Sequence, residues 1–219
     1  CSLFLQPRSV LLMDAYNPKD AAFAPYNMQS TPKRLPRDLK FTLIDGPKAD
    51  VQGWTQTLGP VNPFGLVYCN SSGGSPQLFA LGAGGQGTAF DIPPSVPTVV
   101  LMNHSTSAME PYRMDTVAGA WLAEGAYIYY GSLNEPYLTS FRTPSLVAAL
   151  LAEQLPIAAA IRMTPEENPI FGAPWRLHLL GDPLFRFDPR AARAPRERSF
   201  EATASWPAYA DEPPPAASA

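Results

Sequence analysis

Short, nearly uninterrupted apolar runs set the limits on how this chain can fold. Six segments stand out: Ser9 to Ala15, Lys40 to Ile44, Phe64 to Asn70, Thr98 to Asn103, Ala126 to Gly131 and Trp175 to Leu180. Most are dense in Val, Leu, Ile, Tyr and Met, and all are too brief for core helices. A strand that is apolar at successive positions must be covered on both faces, as parallel strands flanked by helices are. The in/out alternation of a half-solvated antiparallel sandwich is weak here.

Helical patterns fall between these runs. Asp50 caps a segment that puts Val51, Trp54 and Leu58 on one face. Asp115 is the expected cap of a second, with Val117, Ala118, Trp121 and Leu122 at three-to-four spacing and Gly125 in the C′ position. Thr143-Pro144 opens the longest, with Leu146, Val147, Leu150 and Leu151 as its expected buried stripe and Pro156 as its kink or break. The pattern predicts an α/β fold: a doubly wound, mostly parallel sheet of about six strands with helices on both faces. Residues 75–97 carry no helical pattern. Their run Gly82-Ala83-Gly84-Gly85-Gln86-Gly87 precedes no Lys-Ser or Lys-Thr and opens no helix, so it reads as a surface loop rather than a phosphate cradle.

With 219 residues, of which 46% are hydrophobic and 16% charged, the chain can bury one full core, assigned to residues 1–187. From Asp188 the composition turns to Arg, Ala and Pro, so 188–219 are expected to form a tail or linker. A net charge of -3 supplies no basic face, and nucleic acid is not an expected partner. No apolar run approaches the length of a membrane span. Two cysteines, Cys1 and Cys69, and two histidines, His104 and His178, give neither a disulfide framework nor zinc-ligand spacing; no metal or cofactor is expected. The chain opens at Cys1 without an initiator Met and runs almost at once into a strand. That reads as a boundary within a longer parent, whose other domains are then partners, rather than as a lipidated terminus with a flexible spacer.

Chemistry concentrates where two of the runs end. Phe64 to Cys69 discharges into Asn70-Ser71-Ser72-Gly73-Gly74, and Thr98 to Met102 into Asn103-His104-Ser105-Thr106-Ser107. Open parallel sheets hold ligands beyond the carboxyl ends of adjacent strands. A pocket is therefore expected there, edged by Asn70, Ser72, Gly73, Asn103, Ser105 and, from the following strand, Asn134 and Glu135. Gly73 and Gly74 are expected to turn the backbone sharply and leave amides free near the cleft.

From about Phe64 to Arg186 the order of motifs resembles the caspase and gingipain group of cysteine peptidases. In that group one strand ends in a His-Gly pair that carries the base, and the next ends in the nucleophilic Cys. Ser72-Gly73 stands at the first position and Ser105 at the second. The similarity continues through Asp115 to Leu122, Gly125 to Tyr130, Gly131-Ser132-Leu133-Asn134-Glu135-Pro136, and Gly181-Asp182-Pro183 after the last strand. The resemblance implies a caspase-like fold and a peptide or protein segment bound at the carboxyl edge. It also implies that Glu135 meets either a basic side chain of that segment or Arg142 in a structural ion pair.

The departures bear on activity. A thiol nucleophile needs an imidazole within reach, whereas Ser72 cannot accept a proton near neutral pH and Ser105 is far less nucleophilic than a thiolate. The expectation is a peptidase-like domain that has lost cysteine peptidase activity and binds or organises within a larger protein. The alternative is an active hydrolase of peptide, amide or ester bonds that uses Ser105 or Cys69 with His104 as base. Neighbours on a strand point to opposite faces, so His104 and Ser105 are not expected to meet while the strand persists. Cys69 has no Lys, Arg or His beside it in sequence and reads as a small buried hydrophobe. His178 is expected inside the sheet, and Asp182 as a turn residue bonding its own backbone.

Overall fold

A computed structural model describes residues 8–15, 21–37, 39–58, 64–82, 85–94, 97–164, 167 and 176–187. In chain order the strands are β1 (Ser9–Asp14), β2 (Lys40–Ile44), β3 (Leu66–Asn70), β4 (Leu78–Ala80), β5 (Gln86–Thr88), β6 (Thr98–Asn103), β7 (Ala126–Ser132) and β8 (Leu177–Leu180). The α-helices are α1 (Val51–Leu58), α2 (Val117–Ala123), α3 (Pro144–Ala152) and α4 (Ile157–Ile161). Six strands form one sheet in the order β2-β1-β3-β6-β7-β8. The pairings from β2 to β7 are parallel, and β8 runs antiparallel to β7. The mostly parallel α/β sheet expected from the apolar runs is the one observed. Trp175, Cys1 and the segment 188–219 lie outside the described residues.

Double burial explains the parallel arrangement. Leu11, Met13, Val67, Cys69, Val100, Met102 and Tyr129 face one core, with Trp54 and Leu58 of α1 and Val117 and Trp121 of α2. Their sequence neighbours Val10, Leu12, Leu66, Tyr68, Val99, Leu101, Ile128 and Tyr130 face a second, with Val147 and Leu151 of α3 and Ile157 and Ile161 of α4. No helix among the described residues is long and apolar enough to cross a membrane.

Local rules fix the helices, with two corrections. Asp50 caps α1 as expected, its Oδ1 accepting from the Gly53 amide at 2.7 Å. The cap of α2 is Thr116, whose Oγ1 accepts from the Gly119 amide at 3.2 Å. Asp115 is instead held by both arms of Arg113, at 2.6 and 2.9 Å, which leaves the next extended residue to cap. Gly125 follows α2 at φ +108°, the C′ geometry that favours glycine. In α3 the buried face is Pro144, Val147, Ala148 and Leu151, while Leu146 is 39% exposed. The stripe is narrower than expected, with Leu150 only partly buried against the second core. The helix ends at Ala152, and Pro156 becomes the N-cap of α4.

Residues 75–97 hold more than a plain loop. β4 and β5 form a small antiparallel hairpin with Phe79 opposite Gly87. Phe79 is fully buried in the first core, and a Cβ at Gly87 would stand 2.2 Å from its ring, so this glycine makes room for an aromatic. Three-residue strands in a Gly-rich stretch carry too little pattern to show in sequence. Ala83 and Gly84 lie outside the described residues.

Trp54 ties these parts together. Its ring meets Phe79 edge-on at 4.9 Å and Trp121 at 6.2 Å, and its Nε1 donates to the Asp91 carbonyl at 2.9 Å. Trp54→Ala is expected to lower unfolding stability by about 3–5 kcal/mol in denaturant titration. Trp54→Phe, which keeps an edge-on ring but deserts the Asp91 carbonyl, should cost about 1–3 kcal/mol.

Candidate functional site

The register of the parallel strands builds the carboxyl edge. Asp14 pairs with Asn70 and Asn70 with Asn103, which places the two polar clusters side by side as expected. The Ser71 amide donates to the Asn103 carbonyl at 3.0 Å and carries the pairing one residue past the strand. Asp14, Asn70 and Asn103 alternate with residues of the first core, so all three stand on the second-core face. Leu101 pairs with Tyr130, which adds Ser132 to the same row. All four side chains are buried.

This row anchors the loops above it. The Asn70 amide donates to the Tyr26 carbonyl at 2.7 Å, and the Met28 amide donates to Asp14 Oδ2 at 3.1 Å. Ser132 Oγ shares its hydrogen between the carbonyls of His104 (3.0 Å) and Asn134 (2.8 Å) and accepts from the Thr106 amide at 2.9 Å. Polar capacity nevertheless remains unused. Asp14 Oδ1, Asn70 Oδ1, both amide atoms of Asn103, both ring nitrogens of His104 and Ser107 Oγ are buried without a hydrogen-bond partner. The Tyr68 hydroxyl is near enough to Asn103 to feel its amide, though not in hydrogen-bond geometry. Each unmet group costs about 1–3 kcal/mol, so their concentration at one edge marks a place shaped by more than folding.

His104 occupies the ground where the pocket is expected. Its side chain is 1% exposed, and a Cβ added at Gly73 would fall 2.1 Å from Nε2. Gly73 is thus required by the close approach of an imidazole. Its φ lies outside the left-handed region, and the chain bends at the next residue, Gly74. Burial pushes the imidazole pKa down to about 4, against the opposing pull of the Leu78 and Ser105 backbone and the charge of Glu135. His104 is therefore neutral at pH 7, with a lone pair but no hydroxyl or thiol bonded to it.

The flanking groups complete the picture. Ser72 is exposed and Ser105 half-buried, at the start of the turn after β6. His104 and Ser105 do not hydrogen-bond, as expected. Thr106 adopts φ +64°, an unfavourable state for a β-branched residue, held by its amide on Ser132 and by its Oγ1 donating to the Ser105 carbonyl at 2.6 Å. Cys69 is fully buried within the first core, and desolvation raises its thiol pKa far above the usual range. His178 lies within β8, opposite Gly131.

Asn134 and Glu135 are exposed at the rim. Asn134 Oδ1 accepts from the Glu135 amide at 2.7 Å, and Glu135 Oε1 from the Tyr137 amide at 3.0 Å. The ion pair of Glu135 with Arg142 does not form. Arg142 grips Glu167 at 2.8 and 2.9 Å and donates to the Ala159 and Ala160 carbonyls at 2.8 and 2.9 Å, so acceptors at the end of α4 fill its planar fork. That grip pulls the Glu167 carboxyl down to about 2. The Glu135 carbonyl is taken by Arg176. Asp182 Oδ1 accepts from the Leu184 amide at 2.9 Å, the expected turn.

Asp14 and Asp45 are further polar residues at this edge that the two clusters do not include. The signal was available, because the first two apolar runs also end in acids, in Leu-Met-Asp and Leu-Ile-Asp, as the next two end in Asn. No group of three or more His, Cys, Asp or Glu side chains converges among the described residues. No protein-family model matches the sequence, and no curated protein is similar to it.

Two measurements probe this geometry. Gly73→Ala should destabilise the chain, and combining it with His104→Ala should recover about 0.5–3 kcal/mol as a coupling energy in a double-mutant cycle. A histidine kept neutral by burial stabilises the fold above its unfolded pKa near 6.5 and loses that contribution as pH falls toward about 4. Stability from urea titrations should thus drop by on the order of 3 kcal/mol across that window, and His104→Gln should flatten the drop. Asp14, whose carboxyl pKa is raised mainly by burial, acts in the opposite sense, favouring the fold at low pH.

Proposed function

We propose that this chain is a caspase/gingipain-type domain that has lost cysteine peptidase activity and serves a binding or structural role in a larger protein. One observation carries the reading. The two loops at the positions of the family base and nucleophile end adjacent, in-register parallel strands, yet they present Ser72 and Ser105, and the imidazole beside them bonds neither. Hydroxyls with no base in contact stay protonated at neutral pH and do not attack an amide at a useful rate.

The buried, neutral His104 supports the same reading. It fills the space against Gly73 where a substrate-facing base would need room to move. The exposed Asn134-Glu135 rim and the half-buried Ser105 leave a polar edge suited to a peptide or protein segment held by hydrogen bonds rather than cleaved. The strained Thr106 favours a second reading, hydrolysis through Ser105 with His104, because such backbone states cluster at working sites.

Covalent probes separate the two. A fluorophosphonate and an iodoacetamide probe are expected to leave the folded chain unlabelled at neutral pH, with labelling only after denaturation. Stoichiometric labelling of the native chain that vanishes in Ser105→Ala or Cys69→Ala, with loss on His104→Ala, would establish an active hydrolase and end the proposal.

A further inference from the structure

The two edges of the sheet are finished differently. β8 is part-buried along its whole length, whereas Lys40, Phe41 and Thr42 of β2 are all exposed. Successive strand residues point to opposite faces, so three exposed neighbours in a row leave β2 open on both faces as well as along its outer side. Among the described residues β2 pairs with β1 alone, in an unbroken register from Ser9 with Lys40 to Met13 with Ile44. Edge strands of this kind present unpaired main-chain groups and are usually blunted by proline, a bulge or charge. β2 has no proline and no register shift, and it carries Phe41 at 49% exposure.

The pattern of β2 is complementary to itself when a second copy runs antiparallel. Phe41 pairs with Val10 and Leu43 with Leu12, which places both on the second-core face; Thr42 pairs with Leu11 and Ile44 with Met13, on the first-core face. A two-fold axis perpendicular to the sheet brings like faces together, so only residues of the same face stand opposite one another. With the axis at Thr42, Phe41 meets Leu43 of the second copy, Thr42 meets its own equivalent, and Lys40 meets Ile44. Aromatic-aliphatic and Thr-Thr pairs favour strand association, and no like charges face each other. Each end of the ladder also carries Lys40 of one copy and Asp45 of the other, one position apart. An axis at Leu43 instead sets Phe41 against Asp45, and an in-register parallel pairing sets Lys40 against its own equivalent.

We propose that β2 is the docking edge for a second copy of this chain, which joins it antiparallel about a two-fold axis at Thr42 and continues the six-stranded sheet across the interface. The Phe41 and Leu43 side chains of both copies close into one apolar cluster, which takes the exposed aromatic out of water. Lys40 on its own reads as a guard against pairing. Opposite Ile44 and one step from Asp45 of the second copy, it selects the antiparallel arrangement over the parallel one. Five residues a side bury less than a permanent dimer needs, so the association is weak and concentration-dependent. β1 stands between β2 and β3, and Ser72 and Ser105 follow β3 and β6, so this pairing is independent of how those two loops are read.

Sedimentation velocity on the whole chain, from micromolar to near-millimolar concentration, should show a monomer-dimer equilibrium with a dissociation constant on the order of 100 µM. Phe41→Glu and Thr42→Lys lie at exposed positions that the monomer tolerates. Each should weaken association by roughly tenfold or more, the first by setting a charge against Leu43 and the second by setting like charges against each other at the axis. Lys40→Glu and Asp45→Lys should each weaken it too, and the double variant should restore it. In a Cys1→Ser background, oxidised Thr42→Cys should give a disulfide-linked dimer and Phe41→Cys should not; Cys69 is buried and does not compete. A chain that stays monomeric throughout, its edge left open or taken by another segment of a longer parent, overturns the proposal. So does a dimer that Phe41→Glu and Thr42→Lys leave unchanged, or one cross-linked through Phe41→Cys and not through Thr42→Cys.

Discussion

The in-register parallel pairing of β1, β3 and β6, with both faces of each strand buried, is the constraint on which everything else rests. A slip of one residue would exchange the Leu11-Val67-Val100 set with the Leu12-Tyr68-Leu101 set between two cores of different shape. The first core is built around Trp54 and Trp121 and the second around smaller helical side chains from α3 and α4, so the exchange would leave voids on one side and overlap on the other. With the register locked, the strands end at one level. Whatever residues follow the apolar runs must then share a single edge.

That edge is where folding and function draw on the same groups. Asp14, Asn70 and Ser132 each use part of their hydrogen-bonding capacity to hold a loop, through Met28, Tyr26, and His104 with Thr106. Such anchoring gives a buried polar residue a structural purpose without exhausting it. Asn103 makes no such bond with either amide atom, and the Asp14 and Asn70 oxygens stay open. A sequence shaped for stability alone would place apolar residues of similar size there, since leaving a buried donor or acceptor unmet costs more than never having buried it.

Much of this was legible in sequence because it follows from local chemistry. The apolar runs announce doubly buried strands, Asp50 and Gly125 mark helix ends, and Asn70 and Asn103 close two runs with the same residue type. What stayed hidden depends on partners distant in the chain. Nothing near Arg142 in sequence shows that the end of α4 and Glu167 would fill its guanidinium in preference to Glu135. The hairpin of β4 and β5 is specified by Phe79 reaching Trp54, a tertiary contact, and its strands are too short to show a period. Gly73 resembles a turn glycine until the His104 ring is seen to lie on it.

The sheet itself separates two chemistries. His104 and Cys69 belong to the face carrying Val100 and Met102, while the row from Asp14 to Ser132 lies on the opposite face. Under the proposed reading, replacement of a catalytic imidazole and thiol by Ser72 and Ser105 therefore leaves the row untouched. It also removes the requirement to keep a charged pair in a poorly solvated cleft, because hydroxyls cost far less to desolvate than an imidazolium and a thiolate. A domain freed of that demand can bury its remaining histidine as a neutral wedge, and the His104 ring against Gly73 has that form.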